Sequence, residues 1–187
     1  MRSWLRMVIR NRSNNTEAAD RFGAVAQEFC SIVDSAPKLD KIELLTAIYV
    51  VLPRLINEAI GLPNIETPDE DDAPMEPEQL SVRRKVRMTD EQWGLLYNSL
   101  KEKLGDWNLY WQVFDPTTDQ EAICGSLADD LADIYRDLKE GLVLKDTNTG
   151  LLDDIIWEWR LGYYSHWGKH ALDALLTIHF WLQPLRE

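Results

Sequence analysis

The stretch from Leu151 to about Leu182 constrains the fold most, because it holds a helical period with apolar residues on two of its sides. With successive residues about 100° apart, Tyr164, Trp167, Gly168, Ala171, Leu175, Ile178 and Leu182 fall on one side. His166, His170, Asp173 and Thr177 fall on the other, and that polar stripe runs back into Tyr163, Trp159, Ile155 and Leu152. A solvent-facing surface is not built from such residues. The segment is therefore expected to be enclosed on two flanks, with its imidazoles looking into an interior or a cleft.

The remaining segments also read as helices. Phe22, Val25, Ala26, Phe29, Ile32 and Val33 repeat at helical spacing between Thr16, the expected start, and Ser35. Asp40 and Glu43 form a capping box for a helix ending at Gly61, in which Pro53 predicts a kink and two half-helices. Thr89 and Gln92 form another, for a helix that stops at Gly105. Trp107, Tyr110, Trp111 and Phe114 predict a short helix or tight aromatic turn, ended by Asp115 and Pro116. A long helix is expected from Asp119 to Glu140, closed by Gly141, and no alternating β-branched run suggests a strand. The fold class predicted is all-α: a single-domain irregular bundle of about five to seven helices over residues 1–187. Residues 63–88 are expected to form a flexible acidic loop, since "PNIETPDEDDAPMEPEQL" has four prolines and seven carboxylates and almost nothing to bury. The basic run "RRKVR" at 83–87 reads as local compensation for that charge.

A length of 187 residues with 45% hydrophobic content suits one core. The excess of 32 acids over 20 bases gives a net charge of -12, which disfavours nucleic acid and anionic membranes as direct partners. Arg6 interrupts the apolar N-terminal stretch, and no segment reaches about 18 uncharged apolar residues, so a cytoplasmic protein is expected. Cys30 and Cys124, both at apolar positions of helical patterns, read as reduced structural thiols.

In "ICGSLADDLADIYRDLKEGL", Ile123, Leu127, Leu131, Ile134 and Leu138 form an apolar face. Ser126, Asp130, Asp133 and Asp137 adjoin it, while Asp129, Arg136 and Glu140 point away. If this helix packs antiparallel to the last one across "KDTNTG", His166 or His170 can donate to Asp130, Asp133 or Asp137. Two readings follow. In one, Asp130, Asp133, His166, His170 and Asp173 are ligands of a divalent metal such as Zn, Mn or Fe. That leads to a metal-dependent hydrolase, nucleotide-directed, with Glu158 as base and Arg160 or Lys169 holding phosphate. In the other, the same groups form an interhelical hydrogen-bond network, and the protein is a non-enzymatic binding or protein-interaction module. The absence of an HExxH motif and of Glu-x-x-His pairs favours the network, while the unbalanced negative stripe of Asp129, Asp133 and Asp137, with Arg136 on the far face, keeps the metal in play. Most tryptophans of the second half fit core positions, whereas Trp157 and Trp181 fit least and suit a surface meeting a protein partner. Neither Ser126 nor Ser165 has a nucleophile-elbow setting, and there is no Gly-rich phosphate loop.

"DDLADIYRDL" resembles half of the metal-binding pattern of the MazG-related all-α nucleoside triphosphate pyrophosphatases, in which a Glu-x-x-Glu helix and a Glu-x-x-Asp helix hold magnesium. Asp130 and Asp133 match the second half with Asp in place of Glu, and the chain has no Glu-x-x-Glu partner helix. The motifs "FCSIVDS", "LPRLINEAIGLP", "YWQVFDP", "GSLADDLADIYRDLKEGL" and "EWRLGYYSHWGKHALDALLTIH" together resemble the bacterial domain-of-unknown-function family 5063, over residues 20 to 182. That resemblance implies an all-helical cytosolic bacterial protein and carries no catalytic residue with it.

Overall fold

In the computed structural model, which describes residues 2–65, 77–147 and 152–183, the first apolar period becomes helix α1 (Arg2–Asp34). It starts well before Thr16, and Ala19, Phe22, Ala26, Phe29 and Val33 form its buried face. Helix α2 (Lys41–Ile60) packs along it. The Asp40 carboxylate accepts from Glu43 N at 2.8 Å, and the Glu43 carboxylate accepts from Asp40 N at 3.0 Å, so the expected capping box is formed. Pro53 does not divide the helix. It sits on the exposed side, where the carbonyl left without an amide partner can be hydrated.

The loop expected over 63–88 is helical in its latter part, as α3 (Pro77–Val86), while residues 66–76 of that expectation lie outside the described residues. Val82 and Val86 pack against the core, and Arg83 pairs with Glu158, so the basic run is tied to a distant helix as well as lying beside an acidic one. Helix α4 (Asp90–Leu104) opens with the Thr89–Gln92 capping box and ends at Gly105, whose φ of 56° is tolerated because it has no Cβ.

The aromatic segment after it is a strand. β1 (Leu109–Val113) pairs antiparallel with β2 (Ala122–Ser126), with Leu109 opposite Ser126 and Val113 opposite Ala122. The spacing of Trp107, Tyr110, Trp111 and Phe114 fits a helix, but period 2 is the one adopted: Tyr110 and Gln112 turn inward while Trp111 is 76% exposed. The long helix consequently begins at Leu127, not Asp119, as α5 (Leu127–Asp146), and runs straight through Gly141. Cys124 thus lies exposed on β2, Cys30 is buried on α1, and both thiols are free.

The C-terminal period is borne out as one continuous rod: α6 (Leu152–Gly162), a π-helical turn (Tyr163–Trp167) and α7 (Gly168–Leu182). α5 is central and packs against α1, α4, α6 and α7, while α7 also covers α2. Trp159 and Trp167 close the core against Phe22, at ring distances of 4.7 and 6.1 Å. The class is all-α, with the hairpin as its sole sheet among the described residues. No described helix is long and apolar enough to cross a membrane.

Candidate metal centre

The start of α5 is fixed by the hairpin that feeds it. Asn108, buried, accepts from Ala128 N at 2.8 Å through its side-chain oxygen, and its carbonyl accepts from Leu127 N at 2.8 Å. Ser126 caps the helix by accepting from Asp129 N. Asp129 and Asp130 therefore occupy the first turn, where the positive end of the helix dipole favours carboxylates. Opposite Tyr110 in the hairpin register stands Gly125, where a Cβ would come within 2.5 Å of the tyrosine ring. This close passage lets the Tyr110 hydroxyl donate to Asp130 Oδ2 at 2.6 Å.

On the facing rod, the π turn sets the imidazoles. Gly168 lies so close beneath Tyr163 that a Cβ there would be 2.1 Å from the Tyr163 carbonyl oxygen. His166 and His170 face α5 from this turn and the next, with ring centroids 5.0 Å apart. His170 Nδ1 bonds Asp130 Oδ1 at 2.7 Å, and His166 Nδ1 bonds Asp137 Oδ2 at 2.6 Å. A carboxylate accepts only, so the proton of each bond resides on Nδ1. Both Nε2 atoms then point at one oxygen: Asp133 Oδ2 stands 3.6 Å from His170 Nε2 and 3.8 Å from His166 Nε2. The other oxygen, Oδ1, is held by Trp93 Nε1 at 2.9 Å and by Arg136 at 2.8 Å.

This geometry sorts the expected ligands. Asp133, His166 and His170 bring three ligand atoms within mutual reach of one ion. Asp130 stands behind His170 and has both oxygens engaged. A second group, Asp129, Asp130 and His170, also brings three ligand atoms close together, but Asp130 has its two bonds to lose there. Asp173 is bonded to Lys169 and stays outside both groups. Asp137, not among the expected ligands but among the expected hydrogen-bond partners of the histidines, holds His166. Arg136, expected on the far face, reaches back to Asp133 because its long side chain spans one turn.

Burial pushes the Asp130 carboxyl up, opposed by its bonds from His170 and Tyr110. Burial opposes charge on His170, yet the bond to Asp130 and the fields of Asp130, Asp133 and Asp129 outweigh it, so His170 moves upward. In this partly buried pair the proton belongs to the imidazole, since Asp130 already accepts from Tyr110 as well. The Tyr110 phenol is raised, by burial first and by Asp130 second.

Beside the cluster runs a groove of about 1030 Å³ between β1 and the π turn with α7. Trp111, Phe114, Tyr164, Leu172, Leu176 and Phe180 line it and are all more than half exposed. Trp181, expected at a surface contact, also lines the groove and stacks on Trp107 at 5.1 Å. Glu158 pairs with Arg83, Arg160 donates to the Leu62 carbonyl at 3.1 Å, and Lys169 donates to Gln112 at 2.8 Å. The base and phosphate-binding cations expected for a hydrolase are thus engaged elsewhere.

No curated protein matches the chain. A crystal structure of protein BF1032 from Bacteroides fragilis is similar over 87% of this chain and 90% of its own, with a TM-score of 0.70 and 21% identity, a likeness of fold alone. The model of a domain of unknown function, DUF5063, matches residues 13–183. With nearly its whole length matched, the chain belongs to the DUF5063 family.

Proposed function

We propose that the protein is a metal-binding module, with Asp133 Oδ2, His166 Nε2 and His170 Nε2 holding a zinc-class divalent ion between α5 and α7. One observation carries this reading: both imidazoles are pinned at Nδ1 by carboxylates, so both Nε2 atoms face the same anionic oxygen. A shared cation, or a proton on each Nε2, is what holds these groups together. The separations of 3.6 and 3.8 Å are too long for hydrogen bonds. Atoms about 2.0–2.2 Å from a common ion stand roughly 3.3–3.6 Å apart at tetrahedral angles, which binding would draw in slightly. Asp130 and Asp137 behind the histidines, and Trp93 with Arg136 behind Asp133, are the outer partners that such ligands use.

Three protein ligands leave a fourth position open, as in catalytic zinc sites. Hydrolysis is not part of the proposal, because Glu158, the expected base, pairs with Arg83 and the expected phosphate-binding cations are engaged elsewhere. The MazG likeness adds no weight: Asp130 and Asp133 meet imidazoles here, not a second acidic helix. The competing structural reading places a proton, not a metal, on each Nε2. Titration of metal-stripped protein with zinc, manganese and ferrous iron, against a chromogenic chelator, separates the two. Stoichiometric binding, lost in His166→Ala with His170→Ala, supports the ion; no binding to any of the three in the native fold refutes it.

The aromatic groove favours a second, protein-interaction reading. Lys169 and Asp173 pair and cancel in the groove wall, which leaves Asp115 as its unbalanced charge. With a net charge of -12 on the chain, the fitting occupant is a partner helix with apolar anchors and a basic rim. A labelled cationic amphipathic peptide is the probe. Binding that Leu176→Glu abolishes supports the reading, while no binding, or self-association by light scattering instead, removes it.

A further inference from the structure

A second cavity, open to solvent and of about 440 Å³, lies between α3, α5 and α6. Trp159 lines it, is 1% exposed, and has an indole Nε1–H without a partner among the described residues. Gly141 forms the wall beside that nitrogen: a Cβ there would lie 2.3 Å from Nε1. Arg83 lines the same cavity, and although its outer nitrogen pairs with Glu158, its buried Nε–H is also without a partner. Two buried, unanswered donors in one cavity call for an acceptor, since each costs on the order of 1–3 kcal/mol when left unmade.

The cavity also supplies the opposite charge. Glu140 lines it, shows no hydrogen bond or ion pair among the described residues, and is pushed up by burial and then by Glu158. A lone anion would meet three carboxylates, Asp137, Glu140 and Glu158. A single water, which occupies about 30 Å³, answers the donors but leaves most of the space and the carboxylate unused. What fits both features is a small molecule that accepts at one end and carries a positive charge at the other.

We infer that this cavity binds an amino-acid-sized zwitterion, whose carboxylate accepts from Trp159 Nε1–H and Arg83 Nε–H and whose ammonium donates to Glu140. Exposed Arg87 at the mouth adds attraction for the carboxylate. The cavity touches the metal centre through Asp137, which lines it and holds His166, but the inference uses none of the three ligand side chains.

The test uses the full chain, titrated separately with each standard amino acid, acetate, methylammonium and inorganic phosphate. The readout is the indole Nε1–H resonance of Trp159, identified by its loss in Trp159→Phe, together with the melting temperature. At least one amino acid should shift that resonance saturably and raise the melting temperature, with acetate and methylammonium each at least roughly tenfold weaker. Glu140→Gln should weaken binding by roughly tenfold or more, and Arg83→Lys, which keeps the charge and removes the Nε donor, should do likewise. The inference is overturned if no amino acid moves the resonance at about 1 mM. It is also overturned if phosphate or acetate binds as tightly, unaffected by Glu140→Gln, or if a crystal structure grown with amino acids shows only water on the two donors.

Discussion

His166 gives its Nδ1 to Asp137 at 2.6 Å and turns its Nε2 toward Asp133, 3.8 Å away, so one ring is held by one aspartate and offered to another. If Asp133 shares an ion with that ring, Asp137 sets the ring's orientation and basicity without touching the metal. Replacing it should therefore weaken binding without abolishing it. Asp137→Asn, which keeps an acceptor but loses the charge, is expected to lower zinc affinity about tenfold, and Asp137→Ala about a hundredfold. Chelator competition measures both. Unchanged affinity in Asp137→Ala would detach this aspartate from the centre.

The π turn imposes a steric requirement at Gly168. A methyl group there would meet the Tyr163 carbonyl at 2.1 Å, and backbone on both sides cannot yield as a side chain does. Gly168→Ala is expected to cost roughly 1–3 kcal/mol, lowering the melting temperature by several degrees, and to loosen the placement of His166. Gly94, inside α4 with nothing within 4 Å of its Cβ position, is the control. Gly94→Ala should stabilise by about 0.5–1 kcal/mol through helix propensity. Thermal melts of the two variants should move in opposite directions.

What the residues disclosed, and what they hid, follows from the range of the interactions involved. Local signals were sufficient for the caps at Asp40 and Thr89, because a capping box is complete within four residues. The meeting of the aspartate and histidine stripes was legible as well, since a short connection forces α5 and the final rod to lie side by side. The hairpin was hidden because no residue of its two five-residue strands is fully buried, so no apolar core face marks them. Its consequence for the site, Tyr110 reaching Asp130, depends on the pairing of Tyr110 with Gly125 fifteen residues away. The π turn was illegible for a related reason: it adds a residue to the helical register, and only Gly168 between Trp167 and Lys169 hints at the close approach.

The two thiols should separate sharply in reactivity. Burial pushes the Cys30 thiol up to about 12, with Lys139 opposing and Asp34 adding to the rise. Cys124 stands exposed on β2. Since the thiolate is the nucleophile, a maleimide at neutral pH should label Cys124 in the native protein and spare Cys30. Labelling of Cys30 then reports opening of the α1 packing. Mass mapping of native protein checks this, and early modification of Cys30 would show that α1 is not docked as described.

Glu140 provides a pH-dependent test of the cavity in the absence of any amino acid. Burial and the neighbouring Glu158 raise its carboxyl above the ordinary value of 4.5, against the pull of Arg83 and Arg87. A raised folded value means that the protonated form is the better tolerated one. The contribution of this group is therefore most favourable below about pH 4.5 and is lost as pH rises through the higher folded value. Glu140→Gln removes the charge at every pH. It should match the parent below about pH 4.5 and exceed it in stability at pH 7, by roughly 0.5 kcal/mol given its partial exposure. Urea unfolding of both proteins across this range yields the difference curve, in which the titration of other carboxylates cancels. A variant less stable than the parent at pH 7 would mean that the two arginines outweigh burial, and that the carboxylate lacks the unmet charge assigned to it in the cavity.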